Sequence, residues 1–161
     1  MRGPLVDQTS EEARAEALAL LEALNDKQLE AHWNFGPTTG AVLRAVAANP
    51  DRVRCATGYV SPDDEFPATS TVYVRPPRPF RISVGPSQFY GPFPGDDDYD
   101  EDEKYVHPDW CECSDLLRYT REELGLDQKY APDEILPDGP RWLPPDSDLG
   151  EPDQWLRLWW D

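Results

Sequence analysis

Apolar residues recur every three to four positions between Ala13 and Leu24, and that period predicts a helix over residues 10–31. Ala13, Ala17, Leu20, Leu21 and Leu24 form the stripe, Leu18 widens it, and Glu12, Glu16 and Glu30 lie off it. Thr9-Ser10-Glu11-Glu12 supplies the start. The Thr9 hydroxyl accepts from the third helical amide while the Glu12 carboxylate reaches back to the Thr9 N–H, a capping box. A second helix is expected from Thr39 to Ala48, with Val42, Leu43 and Val46 on its apolar side and Asn49-Pro50 as its stop. The connection between them, His32-Trp33-Asn34-Phe35-Gly36-Pro37, is short and aromatic. Large rings gain most by burial, so Trp33 and Phe35 are expected to plug one end of the core.

The period changes at Val53. Val53, Cys55, Thr57 and Tyr59 alternate with Arg54, Ala56, Gly58 and Val60, which suits a strand, and Asp63-Asp64-Glu65 reads as a turn. Two more strands are expected over Thr71–Arg75 and Phe80–Val84. The Pro76-Pro77-Arg78-Pro79 segment between them cannot donate to a ladder and reads as a loop or an edge. Three antiparallel strands packed under two helices predict an α+β fold. Beyond Val84 the pattern loosens, with six prolines between Pro76 and Pro94 and six more between Pro132 and Pro152. Short helices are expected to start at Ser114 or at Thr120, where Thr120-Arg121-Glu122-Glu123 repeats the capping-box spacing and Gly125 offers a stop. In the last residues Trp155 and Trp159 fit a helix face, whereas Leu156, Leu158 and Trp160 fit a strand. Their aromatic content favours a strand that returns to the sheet.

Charge alters this picture more than composition does. The 161 residues suggest one domain, and 18 aromatics among 39% hydrophobic residues suggest a folded chain with long polar connections. Of the net charge of −17, residues 1–60 hold 8 acids and 6 bases, residues 61–95 hold 3 of each, and residues 96–161 hold 21 acids and 6 bases. A nearly neutral helix-and-strand core over residues 1–95 is therefore followed by an acidic, proline-rich, loop-dominated region over 96–161, expected to pack on it. Such a field disfavours nucleic acid and anionic membrane as ligands and favours a basic protein or a cation. No apolar leader follows Met1, and no stretch approaches membrane-spanning length. Three cysteines do not make a disulfide framework, so a cytoplasmic location is expected. Arginine outnumbers lysine 12 to 3, a bias expected of a GC-rich bacterial genome.

The acidic region opens with Asp96, Asp97, Asp98, Tyr99, Asp100, Glu101, Asp102 and Glu103. Closely spaced carboxylates match Lys/Arg clusters and steer their approach. Tyr99 within the run and Tyr90 and Phe93 before it resemble interface anchors more than solubilising residues. Asp109, Trp110 and Glu112 extend the expected partner-binding set. The run lacks the spacing of a calcium-binding EF-hand loop, since Gly95 precedes the acids. His107, Cys111 and Cys113 are weak zinc candidates that Cys55 or His32 would have to complete; Asp109, Glu112 and Asp115 nearby would raise the thiol pKa values. No nucleophile elbow, zincin motif or phosphate-binding glycine loop appears, so no enzymatic role and no cofactor are expected. The arginines at 44, 52, 54, 75, 78 and 81 are expected to hold the acidic region against the sheet.

These features point to an acidic binding protein that neutralises a basic protein partner, in the manner of an immunity protein or antitoxin. The alternatives are a DNA-mimic inhibitor of a DNA-binding protein, and a small zinc-stabilised protein.

Overall fold

Thr9 caps the first helix as its spacing requires. In the computed structural model, which describes residues 8–55, 60–81, 110–137, 148–149 and 154–160, α1 runs Ser10–Ala23 with both halves of the Thr9/Glu12 capping box in place. The helix does not continue to residue 31. It ends at Leu24, and Asn25 opens a new one-turn helix, α2 (Asp26–Leu29), through a second capping box with Gln28. The Gln28 amide also donates to the carbonyls of Pro62 (2.9 Å) and Asp64 (2.8 Å). One side chain thus caps a helix and fixes the Asp63-Asp64-Glu65 turn. Helix α3 spans Thr39–Ala48 as expected, N-capped by Thr38.

The chain forms an α+β fold around a four-stranded antiparallel sheet in the order β1-β2-β6-β4. Its strands are β1 (Val53–Cys55), β2 (Thr71–Val74), β4 (Glu134–Pro137) and β6 (Leu156–Trp159). The C-terminal segment therefore returns as a strand, and it lies inside the sheet between β2 and β4. Strand β3 (Phe80–Arg81) does not join. It pairs with β5 (Asp148–Leu149) in a separate two-stranded ribbon. Three of the four residues from Pro76 to Pro79 have no N–H, so the chain cannot keep bonding to β2 and turns away. Residues 56–59 and 82–84 of the expected strands lie outside the described residues. Helix α4 is one helix over Cys113–Glu122, not a start at Thr120. The Thr120 hydroxyl instead donates back to the Leu117 carbonyl and accepts from the Gln128 amide, both bonds buried.

Register explains the core. Cys55, Val72, Leu158 and Ile135 face one another across the four strands, and Val53, Val74 and Leu156 form the next row. All seven are buried. The side chains of a row alternate in face with the next residue, so this is one apolar surface. It merges with Ala13, Ala17, Val42, Leu43, Val46, Leu116 and Leu117 in a single cluster, with α3 in contact with both α1 and β1.

Trp33 and Phe35 do not plug the core. They are 48% and 46% exposed, and Trp160, 1% exposed, fills that end instead. A Cβ on Gly36 would lie 3.2 Å from the Trp160 ring, so the loop passes directly over the indole. Gly125, at φ +73°, ends the α4 segment as expected. Open space surrounds the position where its Cβ would lie, so the cost of Gly125→Ala is conformational alone. Urea denaturation is expected to show a loss of about 1 kcal/mol for Gly125→Ala and a smaller one for Gly125→Asn; equal losses would place the cause elsewhere.

Candidate docking surface

Much of the partner-binding set expected from sequence falls on one excursion of the chain. Tyr90, Phe93, Asp96–Asp98, Tyr99, Asp100–Glu103 and Asp109 lie outside the described residues, as does His107. The ends of that excursion are described. The chain departs after Arg81 and is described again from Trp110, and these two ends are bound together. The Glu112 amide donates to the Arg81 carbonyl (2.7 Å), and the Arg81 amide donates to Glu112 Oε1 (3.0 Å). Arg78 Nη2 donates to Glu112 Oε2 (3.0 Å). The Arg81 guanidinium lies over the Trp110 ring at 4.6 Å, and that of Arg78 over Phe80 at 4.0 Å. The Arg81 amide, followed by the Arg78 guanidinium, holds the Glu112 carboxyl below its ordinary pKa. Both oxygens of Glu112 are thus engaged within the chain, and Trp110 carries an internal cation.

The other arginines bond mainly to carbonyls and rings. Arg54 is buried, and its guanidinium donates to the carbonyls of Pro50 and Gln8 and to the Ser10 hydroxyl. Arg52 Nη1 donates to the carbonyls of Arg75 and Pro76, each at 3.2 Å. The guanidinia of Arg54 and Arg75 approach the Trp155 ring at 5.7 and 5.3 Å. Burial, and then the neighbouring Arg75 against the opposing pull of Asp51, lowers the Arg54 pKa. The expected tie to the acidic region exists at Arg78 and Arg81, whereas Arg44 is exposed.

The cysteines do not form a described metal centre. Among the described residues no three His, Cys, Asp or Glu side chains gather as a cation site, so neither Cys55 nor His32 joins Cys111 and Cys113. Cys113 is buried, and its thiol pKa is raised first by a hydrogen bond with Cys111 and then by burial, not by the neighbouring carboxylates.

A second exposed surface arises where core packing was expected. Asn34 and Phe35 take left-handed backbone angles, φ +41° and +62°. For phenylalanine that is a strained state, and it persists because its surroundings impose it. The Phe35 carbonyl accepts from the amides of Lys129 (2.9 Å) and Tyr130 (3.1 Å), and the Phe35 amide donates to His32 Nδ1 (3.3 Å). The Asp127 carboxylate takes the Thr38 amide at 2.7 Å and its hydroxyl at 2.8 Å. His32 stacks on Phe35 at 6.0 Å, Tyr130 meets it tilted by 46° at 4.8 Å, and Lys129 lies 5.8 Å from each of the Phe35 and Tyr130 rings. The result is an aromatic knuckle with a hydrogen-bonded backbone, on which Trp33 is also exposed. Its signal in the sequence was Asn34 ahead of Phe35-Gly36, a turn composition that projects flanking rings outward.

No protein-family model, curated protein or solved structure matches this chain.

Asp127 couples the knuckle to the start of α3. Asp127→Ala is expected to cost about 1–2 kcal/mol in urea denaturation and to speed hydrogen exchange at the Thr38 amide; unchanged exchange there would refute the coupling. A second expectation concerns pH. Burial, and secondarily Glu16, pushes the Cys55 thiol up to about 12 from 9.0. Its contribution to stability is complete below the unfolded value and is lost as pH rises through that window. Stability of the wild type should therefore fall more steeply than that of Cys55→Ala between about pH 9 and 11. Parallel curves would show that this thiol does not titrate differently on unfolding.

Proposed function

We propose that this chain is an acidic cytosolic binding protein that neutralises a basic protein partner, as an immunity protein or antitoxin does, and that it acts by occlusion rather than catalysis. The observation that carries the reading is the charge distribution: 21 acids against 6 bases in residues 96–161, after a nearly neutral first part. Seven carboxylates within eight positions create a local field that raises the encounter rate with a cationic surface. Confinement of the acids to one part of the chain favours a docking site over a mimic of the evenly spaced phosphates of DNA.

Two features support the reading. Among the described residues the arginines of the central strands bond largely to carbonyls and aromatic rings, and Arg78 pairs with Glu112. The segment bearing Asp96–Glu103 also starts and ends at one clamped corner, Arg81 with Trp110 and Glu112. Tethering both ends reduces the ordering entropy that a partner must overcome. Trp110 and Glu112 then serve as anchors of the segment, and the carboxylates between Arg81 and Trp110 as its contacts. Among the described residues no helix is long and apolar enough to cross a membrane.

The test is capture of the product of the adjacent gene, or another basic partner, by the purified chain. Replacing Asp96, Asp97, Asp98, Asp100, Glu101, Asp102 and Glu103 with their amides is expected to slow association roughly tenfold or more at low salt and to flatten its salt dependence. Capture that survives with the same salt slope would remove the acidic run from the interface.

A further inference from the structure

Aromatic rings in this protein, whether buried, half-buried or exposed, tend to hold a cation. Phe66, 63% exposed, carries Lys27 at 5.1 Å, and Phe35 carries Lys129 at 5.8 Å. Phe80, Trp110 and Trp155 carry arginines. Trp33 differs. It is 48% exposed, and among the described residues neither a cation nor another ring lies against its indole. Indole is the strongest cation–π acceptor among the side chains. It stands here on a loop whose strained backbone is fixed by Asp127, by the Lys129 and Tyr130 amides and by the buried Trp160 beneath it.

We infer that Trp33 is the seat of an arginine side chain from the basic partner, so that the aromatic knuckle forms a second contact of the same complex. The inference rests on the partner being basic, as proposed above. Charge decides the occupant. A chain of net charge −17 attracts a cationic surface, and Glu30, two residues before His32, and Asp127, bonded to Thr38, are both exposed beside the knuckle. Lys129 lies by Phe35 and Tyr130 and repels an incoming guanidinium from them, which leaves the Trp33 face. Arginine suits that face better than lysine because its planar, weakly hydrated guanidinium stacks while its edge still donates to carboxylates or carbonyls. Rigidity adds to the fit. Ordering is a large cost of binding, and the backbone that carries this ring is already held from three sides. Tryptophan and arginine are also the residues most often dominant at interfaces.

The experiment titrates the full chain with an acetylated nona-arginine peptide and a nona-lysine peptide of equal charge, at about 0.15 M salt. The Trp33 indole N–H resonance, assigned through Trp33→Phe, reports contact. Both peptides are expected to bind, with arginine preferred about 2- to 5-fold. Trp33→Leu should abolish the preference while keeping an apolar side chain, and Trp33→Phe should retain part of it. The amide variant of residues 96–103 should weaken both peptides alike and leave the preference intact. Equal binding of the two peptides, or a preference that survives Trp33→Leu, overturns the role of Trp33 while leaving the acidic reading in place. Failure of both peptides to bind the wild type overturns the acidic reading and this inference with it. A Trp33 resonance that shifts with protein concentration alone assigns the face to a second copy of the chain, which also overturns the inference.

Discussion

The indole of Trp160 is where distant segments of this chain meet. It is the largest fully buried side chain described, and both of its N–H groups are bonded. Its ring N–H donates to the Tyr130 carbonyl at 3.0 Å, and its backbone N–H to the Ser70 carbonyl at 2.9 Å. Gly36 passes close above the ring because a side chain there would collide with it. These contacts join the loop after α2, the segment before β4 and the entry to β2 through the residue that follows β6. Strand β6 lies between β2 and β4, so the sheet is incomplete until the last residues of the chain are in place. Pairings of such sequence separation close only after a large loop entropy has been overcome. A single large ring with a satisfied N–H is an effective way to hold that closure.

The arginines are a second economy of the same kind. Arg54 is a buried charge to which no carboxylate bonds among the described residues; carbonyls from Gln8 and Pro50, the Ser10 hydroxyl and the Trp155 ring replace its water. The same Ser10 hydroxyl donates to the Asp51 carboxylate, so Arg54 and Asp51 together join the N-terminal helix to the sheet. Each arginine satisfied by carbonyls and rings leaves a carboxylate elsewhere without an internal counter-ion. The net charge is fixed by composition, and the fold's use of its cations decides only which carboxylates they meet. Self-repulsion of this order opposes compaction, and the clamp at Arg78, Arg81 and Glu112 sits where the most acidic segment joins the described fold.

Local signals were legible where one interaction decides the outcome. The Thr9/Glu12 capping box, the Thr39–Ala48 helix and the stop at Gly125 all depend on residues a few positions apart. The returning strand at Leu156–Trp159 was readable from its alternation. The misreadings share a cause. Asn25 broke a helix that its apolar stripe would have continued, because a capping side chain with Gln28 offered the backbone other partners. Thr120 had the spacing of a helix start, yet lay inside a helix begun seven residues earlier, where its hydroxyl met Gln128. Strand β4 was hidden between prolines and is possible because it is an edge, where Pro137 needs no N–H to give. The knuckle was misread because ring size argues for burial, and only the position of Trp160, more than 120 residues away, shows that the site under Gly36 was already filled.

The strain at Phe35 links these observations to recognition. A phenylalanine at φ +62° is disfavoured by roughly 1–2 kcal/mol, and a glycine would remove that cost. Glycine would also remove the ring against which His32 and Tyr130 pack. The fold thus keeps an unfavourable backbone in order to keep an aromatic cluster at its surface, where the cluster adds little to the core. A charged segment alone gives fast encounter but weak discrimination, because its field falls off within a Debye length and is blunted by salt. A fixed apolar face acts only on contact and depends on shape. In the proposed function the carboxylates of residues 96–103 would bring a cationic surface near, and the exposed indole of Trp33 would test how its side chains are arranged.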